Sequence, residues 1–200
     1  MMIPVRRFLC VTIPLLVGSA PLRAQHTASQ TPSPGASSPE LAQFDFLIGE
    51  WTLVVTPKVS GLATAIHGAP RLVGTWTASR AFDGRGIEDE LRIMDRSGNP
   101  SALSHSLRVY DASSHHWVSA SLDVFRTRAN ESVGEFKDAA MVATSRGVDA
   151  DGKPSLNRSR FFEIKPAGFR YQQDRSSDDG RTWTEGVLKI DAKRLTTAPH

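Results

Sequence analysis

Arg80 and Asp89 carry opposite charges on two segments, Arg71 to Phe82 and Gly86 to Asp95, that alternate apolar and polar residues around Asp83-Gly84-Arg85-Gly86. A hairpin there sets even positions of the first strand against odd positions of the second. Trp76, Ala78, Arg80 and Phe82 then share a face with Ile87, Asp89, Leu91 and Ile93. Opposite charges on one face pair, and a buried pair either braces a fold or orients a ligand or a catalytic carboxylate. His105, His115 and His116 have the chemistry of metal ligands or of a general base. Their spacing opposes a metal. Adjacent His115 and His116 point to opposite faces of a strand, and His105 lies about four residues, or ~13 Å, from His116 along the ladder. Asp89 with His105 is the acid–base pair an enzyme would have to use.

Residues 176 to 183 read Ser-Ser-Asp-Asp-Gly-Arg-Thr-Trp. This fits the Asp-box pattern S-x-D-x-G-x-T-W of β-hairpins in sialidases and other β-proteins. It is specific as a turn: Asp178 and Asp179 can bond turn amides, Gly180 takes a positive φ, and Trp183 packs beside the loop. The repeated boxes and the arginine triad of a sialidase are absent, as are a glycine-rich phosphate loop, G-x-S-x-G and H-E-x-x-H.

From Trp51 onward the alternation, with turn chemistry every 10 to 15 residues or so, predicts an all-β antiparallel meander. A hairpin turning at Asp111 to Ser114 groups Leu103, His105, Leu107 and Val109 with His116, Val118, Ala120 and Leu122. Because Ser104, Ser106 and Arg108 lie opposite, the first set is expected inside. In the last three strands Leu156, Arg158, Arg160, Phe162 and Ile164 are expected to share the inner face with Phe169, Tyr171, Gln173 and Arg175, then Thr182, Thr184, Leu188 and Ile190. The result is a barrel with an apolar floor and a polar, arginine-bearing mouth, able to hold one small ligand. Its expected lining is Trp76, Arg80, Asp89, His105, Arg160, Tyr171 and Gln173, with no catalytic residue and no metal ligand assigned.

Upstream, Arg6 and Arg7, the apolar run Phe8 to Val17 and Leu22-Arg23-Ala24 read as a signal peptide over 1–24, cleaved before Gln25. The run falls short of the ~20 residues of a membrane span. Residues 25–39 read as a Pro- and Ser-rich disordered linker, 40–193 as the barrel domain and 194–200 as a tail. Pro39, with Ser38 as N-cap, opens a short helix on which Leu41, Phe44 and Leu47 recur on one side until Gly49. The sole cysteine, Cys10, lies in the leader, so the mature chain is expected to hold no disulfide or thiolate. Three of the 24 basic residues also lie there, leaving 21 to face 21 acidic ones. That balance removes the electrostatic case for nucleic acid.

Phe44-Asp45-Phe46-Leu47-Ile48-Gly49-Glu50-Trp51, a helix running into G-x-W, resembles the opening of a bacterial domain-of-unknown-function family (DUF1579-like). Leu107-Arg108-Val109-Tyr110-Asp111 with Trp117, and Ser176 to Trp183, extend the resemblance over roughly residues 40 to 190. That family is similar to the calycin group, and distantly to nitrobindin. The resemblance implies a lipocalin-like barrel of about ten strands with a short N-terminal helix. Nitrobindins hold haem through a histidine near the C-terminal strands. Here none lies between His116 and His200, and no haem or other cofactor is expected. The expected protein is exported, periplasmic or extracellular, and binds a small apolar or amphipathic molecule with a polar or anionic end. An enzyme acting on a small molecule or sugar, and a filled barrel serving as an interaction module, are the alternatives.

Overall fold

The computed structural model describes residues 38–59, 70–148 and 152–196. The expected leader, most of the linker and the last four residues lie outside the described residues. Ten antiparallel strands follow one 3₁₀ helix, Pro39–Leu47. They are β1 (Gly49–Pro57), β2 (Leu72–Ala81), β3 (Gly86–Met94), β4 (Pro100–Asp111), β5 (His116–Asp123), β6 (Arg128–Lys137), β7 (Ala140–Val148), β8 (Pro154–Lys165), β9 (Gly168–Ser176) and β10 (Thr184–Arg194). Each strand pairs with the next, and β1 pairs with β10 from Trp51↔Arg194 to Pro57↔Leu188, closing the barrel. Closure leaves no strand edge unpaired. An aspartate sets four of the turns by accepting local backbone N–H groups: Asp95 from Ser97 and Asn99, Asp111 from Ser113, Asp123 from Arg126, and Asp178 from Thr182.

The helix has the tighter 3₁₀ winding, and the sequence gives a reason. Leu41, Phe44 and Leu47 repeat every third residue, which aligns them on one side at three residues per turn. Phe44 and Leu47 are buried in the barrel's end. The barrel wall holds the helix by its backbone and polar groups: Trp51 Nε1 donates to the Leu47 carbonyl (2.7 Å), Trp117 Nε1 to Gln43 Oε1 (3.0 Å), Arg80 to the Leu41 carbonyl (3.1 Å) and Arg194 to the Ile48 carbonyl (2.9 Å). Phe44, Phe46, Trp51, Trp76, Trp117, Phe161 and Phe169 then form one ring-on-ring floor, with centroids 4.8 to 6.1 Å apart. The helix is a plug, and the Asp-box turn belongs to the opposite end.

Two faces differ from expectation. In β4 and β5 the pairs Leu107↔Ala120 and Val109↔Val118 keep the expected residues on one face, though His105 lies opposite Leu122, six residues from His116 and not four, and that face is outside. Leu107, Val109, Val118 and Leu122 are 38 to 50% exposed, whereas Ser106, Trp117 and Ser119 are buried. The interior here is polar, so an apolar face did not mark the inside. In β8 a bulge at Glu163, whose φ is 51°, shifts the register between Phe162 and Lys165. Before the bulge Arg158 pairs with Asp174, Arg160 with Gln172, and Phe161 with Tyr171. Phe161 is therefore the buried ring, and Arg158, Arg160 and Phe162 face outward.

Candidate functional site

The pairing register lays a polar row across the inner wall of six neighbouring strands: Arg108–Ser119–Ser132–Ser145–Asn157–Arg175. Beside it run Ser106–Ser121–Asn130 and Ser159–Gln173. Ser119 and Ser106 are buried, while Ser121, Ser132, Ser145, Asn157, Ser159 and Gln173 are half-buried. A side chain that points at the barrel axis and still meets solvent borders space that protein does not fill. The facing wall is apolar, with Leu53, Val55, Leu72, Leu91, Ile93 and Leu188 in or against the core.

At the deep end stands Asp89, 2% exposed. One carboxylate oxygen accepts Trp76 Nε1 at 2.8 Å and the other accepts Arg108 Nε at 2.6 Å. Arg108 reaches it diagonally, since Ile87 is its direct partner and Asp89 faces Ser106. Its guanidinium lies 5.2 Å from the Phe44 ring and 5.9 Å from the Phe161 ring. Asp89 engages only Nε, so both terminal nitrogens keep their N–H groups for another acceptor. Tyr171 stands next to this pair, 5.0 Å from Phe161 and 5.8 Å from Trp76. Its hydroxyl meets Ser159 Oγ at 2.9 Å. Burial pushes the Tyr171 hydroxyl above the ordinary tyrosine range, against the opposing effects of the Ser159 bond and the Arg108 charge.

Of the expected lining, Trp76, Asp89 and Tyr171 meet here, and Gln173 lies on the same face beside Ser159. Arg80 does not pair with Asp89. It stands one pair nearer the plug, opposite Ile87, and forms its ion pair with Asp45 of the helix. His105 is exposed on the outer wall opposite Glu90, so it and Asp89 lie on opposite sides of the sheet and form no acid–base pair. Arg160 is also outside, its guanidinium 3.8 Å from Asp174. Arg108, Ser104 and Ser106 are the members that sequence reasoning placed on the wrong side, and Ser132 and Ser145 lie on strands to which it assigned no face. One signal could have found them: Tyr110 and Trp117, the largest side chains of that hairpin, share their face. Among the described residues no group of three His, Cys, Asp or Glu side chains could hold a metal ion.

Asp174 is the surprise of the outer wall, with no exposed surface. A bulge sets Glu185, Gly186 and Val187 opposite it, between the pairs Thr184↔Arg175 and Leu188↔Gln173. Gly186 N–H and Gln172 Nε2 donate to one oxygen (2.9 and 2.7 Å), and Arg158 Nε and Nη2 to the other (3.1 and 2.9 Å). Burial would raise its pKa, but these bonds and the nearby Arg160 charge outweigh it and hold the group below the ordinary aspartate value. Asp174 takes over where the ladder is broken, and Arg158 in turn lies 4.5 Å over Trp183 of the Asp-box turn.

The Asp box forms the expected turn. Asp178 accepts Thr182 Oγ1 (2.6 Å), Thr182 N–H (2.8 Å) and Ser176 Oγ (2.7 Å), while Trp183 Nε1 donates to the Gly180 carbonyl (3.1 Å). Asp179 bonds no turn amide and instead pairs with Arg146. The Thr182 hydroxyl bond, followed by the Thr182 amide and the Ser176 hydroxyl, lowers the Asp178 pKa to about 2. A depressed carboxylate stabilises the fold fully above its unfolded value near 4 and loses that contribution as pH falls toward 2. The Trp183 indole N–H resonance should therefore hold its position from pH 7 to 4 and move only below. Gly180 sits at φ +89°, with room for a Cβ, so Gly180→Ala should cost about 1 kcal/mol through φ alone in a urea melt. Unchanged stability would show that the turn relaxes without cost.

No family model matches this chain, and no curated protein does. Among solved structures it resembles an S-type phycobiliprotein lyase, CPES, from Guillardia theta, with a TM-score of 0.51 at 8% sequence identity over 78% of this chain and 92% of that one. The two share a fold, and at that identity the likeness goes no further.

Proposed function

We propose that this protein is an exported barrel of the lipocalin-like, calycin type that binds one small amphipathic molecule inside. The observation that carries the reading is the half-buried polar row from Arg108 to Arg175 facing an apolar wall. A core meant only to be filled has no use for these nine inward serine, asparagine and glutamine side chains at positions where apolar ones would pack. A ligand with an apolar face and a polar edge would cover both walls, its body against Trp76, Phe161 and Tyr171 at the floor. The site holds hydrogen-bond donors and acceptors without a general base beside a nucleophile, which favours binding over catalysis. The likeness to the lyase supports the barrel on which the reading rests. The DUF1579-like opening motif and the Arg-flanked apolar leader support family and export.

Native mass spectrometry of protein purified from its own exporting cell tests these readings together. The expected species starts at Gln25, lacks Cys10 and carries a non-covalent adduct of small-molecule mass. Ser145→Trp, which places an indole on the polar row, should remove the adduct while the urea midpoint stays close to wild type. A chain still starting at Met1 would overturn export. A Ser145→Trp variant destabilised by about 1 to 3 kcal/mol, as overpacking of a filled core produces, would overturn the hollow barrel.

A further inference from the structure

The charges inside the barrel do not balance. Between plug and mouth, three charged side chains occupy inward positions among the described residues: Asp89, Arg108 and Arg175. Asp89 and Arg108 neutralise each other at 2.6 Å. Among the described residues Arg175 has no such partner. It closes the polar row at the mouth end, half-buried, with Nε on the neutral Asn157 Oδ1 at 3.3 Å and Thr184 opposite. At the rim the inward Asp123 is already bound by Arg126 at 2.8 Å, and Arg128, its cross-strand partner, is exposed and adds a further positive charge. The nearest aspartate on the same strand, Asp174, points through the wall to the outside and is fully bonded there. A guanidinium held in a partly enclosed space pays for its lost hydration unless an anion meets it.

We infer that the molecule held in the barrel is a monoanion, and that Arg175 receives its carboxylate, sulfonate or similar oxyanion near the mouth. Arg108, already neutralised, offers its terminal N–H groups to an uncharged acceptor such as a carbonyl or hydroxyl deeper in. The inference rests on the binding reading above and adds the charge and orientation of the ligand: acid group toward the Asp-box end, apolar body toward the plug. Arg175 can do this because its nearest neighbours along the row, Asn157 and Ser145, are small and neutral. Ser145 and Asn157 leave space and hydrogen-bonding groups around the guanidinium without competing for its charge.

Two dyes that differ by one oxyanion test it in the full-length secreted chain: anilinonaphthalene sulfonate and its uncharged parent, phenylnaphthylamine. A charge-assisted bond adds about tenfold or more in affinity, so wild type should bind the sulfonate at least that much tighter than the parent. Arg175→Gln should bring the two dyes within about threefold of each other, with the parent's affinity unchanged. Arg175→Lys should keep most of the preference. Asn157→Asp, which supplies a carboxylate beside an intact Arg175, should also erase it, so the test stands even if Arg175→Gln folds poorly. Equal binding of both dyes by wild type, or a preference that survives Arg175→Gln and Asn157→Asp, would overturn the monoanion site while leaving the barrel a binder. Saturation by neither dye would bring down the binding reading itself.

Discussion

Arg108→Ala should cost about 3 to 5 kcal/mol in a urea melt at neutral pH, the penalty for stripping one partner from a buried ion pair. Asp89 explains why the loss falls at the upper end. Its carboxylate is 2% exposed, and without Arg108 its one remaining donor among the described residues is Trp76 Nε1 at 2.8 Å. Asp89→Asn should cost less, although it breaks the same pair. An amide oxygen still accepts from Trp76, and the stranded guanidinium, 11% exposed and flanked by Phe44 and Phe161, can turn its terminal nitrogens to solvent inside the barrel. The two substitutions together should cost clearly less than the sum of the singles, since they share one interaction. A loss below about 1 kcal/mol for Arg108→Ala would mean that water reaches Asp89 from the barrel interior, and the deep end would then be wetter than its burial implies.

The inversion of β4 and β5 explains what could be read in the sequence and what could not. Alternation identified the strands, and turn residues identified which residues share a face: Trp76 with Leu91 and Ala78 with Asp89, and Val109 with Val118, although the β4–β5 register lies two residues from the expected one. Which side faces the axis is a separate question. The rule that apolar residues go inside answers it only when the interior is apolar, and here one interior wall is made of serines. Leu107, Val109, Val118 and Leu122 therefore pointed the wrong way, and His105 went with them. In β8 the error has another source. Phe161 and Phe162 are adjacent, so either could be the inward ring, and a bulge at Glu163 decides between them. Nothing in the composition of Phe-Phe-Glu-Ile marks a bulge, because its position is set by how the ladder bends to close the barrel. Arg160 was displaced by that single residue. Arg175, beyond the shift and on the neighbouring strand, kept the inward face assigned to it.

Phe44→Ala should be nearly as damaging as Arg108→Ala, at about 3 to 5 kcal/mol, the usual range for deleting a buried aromatic ring. The ring is 1% exposed, lies edge-on to Trp117 at 4.8 Å and to Phe161 at 6.1 Å, and stacks on Phe46 at 5.8 Å. It also carries the Arg108 guanidinium at 5.2 Å, so its loss removes apolar burial and a cation–π contact from the Asp89 pair at once. The other two residues on that side of the helix should rank below it: Leu47→Ala in the 2 to 5 kcal/mol range for a buried leucine, and Leu41→Ala less, because Leu41 is only half-buried. How the plug fails is informative. If it stays seated, Phe44→Ala leaves a cavity walled by Trp117, Phe46 and Phe161, and added toluene should restore part of the lost stability by binding the folded state alone. If the helix detaches as a unit, Trp51 loses its bond to Leu47 and Trp117 its bond to Gln43. Tryptophan emission would then shift to the red before global unfolding, and toluene would restore nothing. The four wall-to-helix hydrogen bonds that remain in the variant favour the first outcome, with the plug in place and the cavity opening toward Arg108.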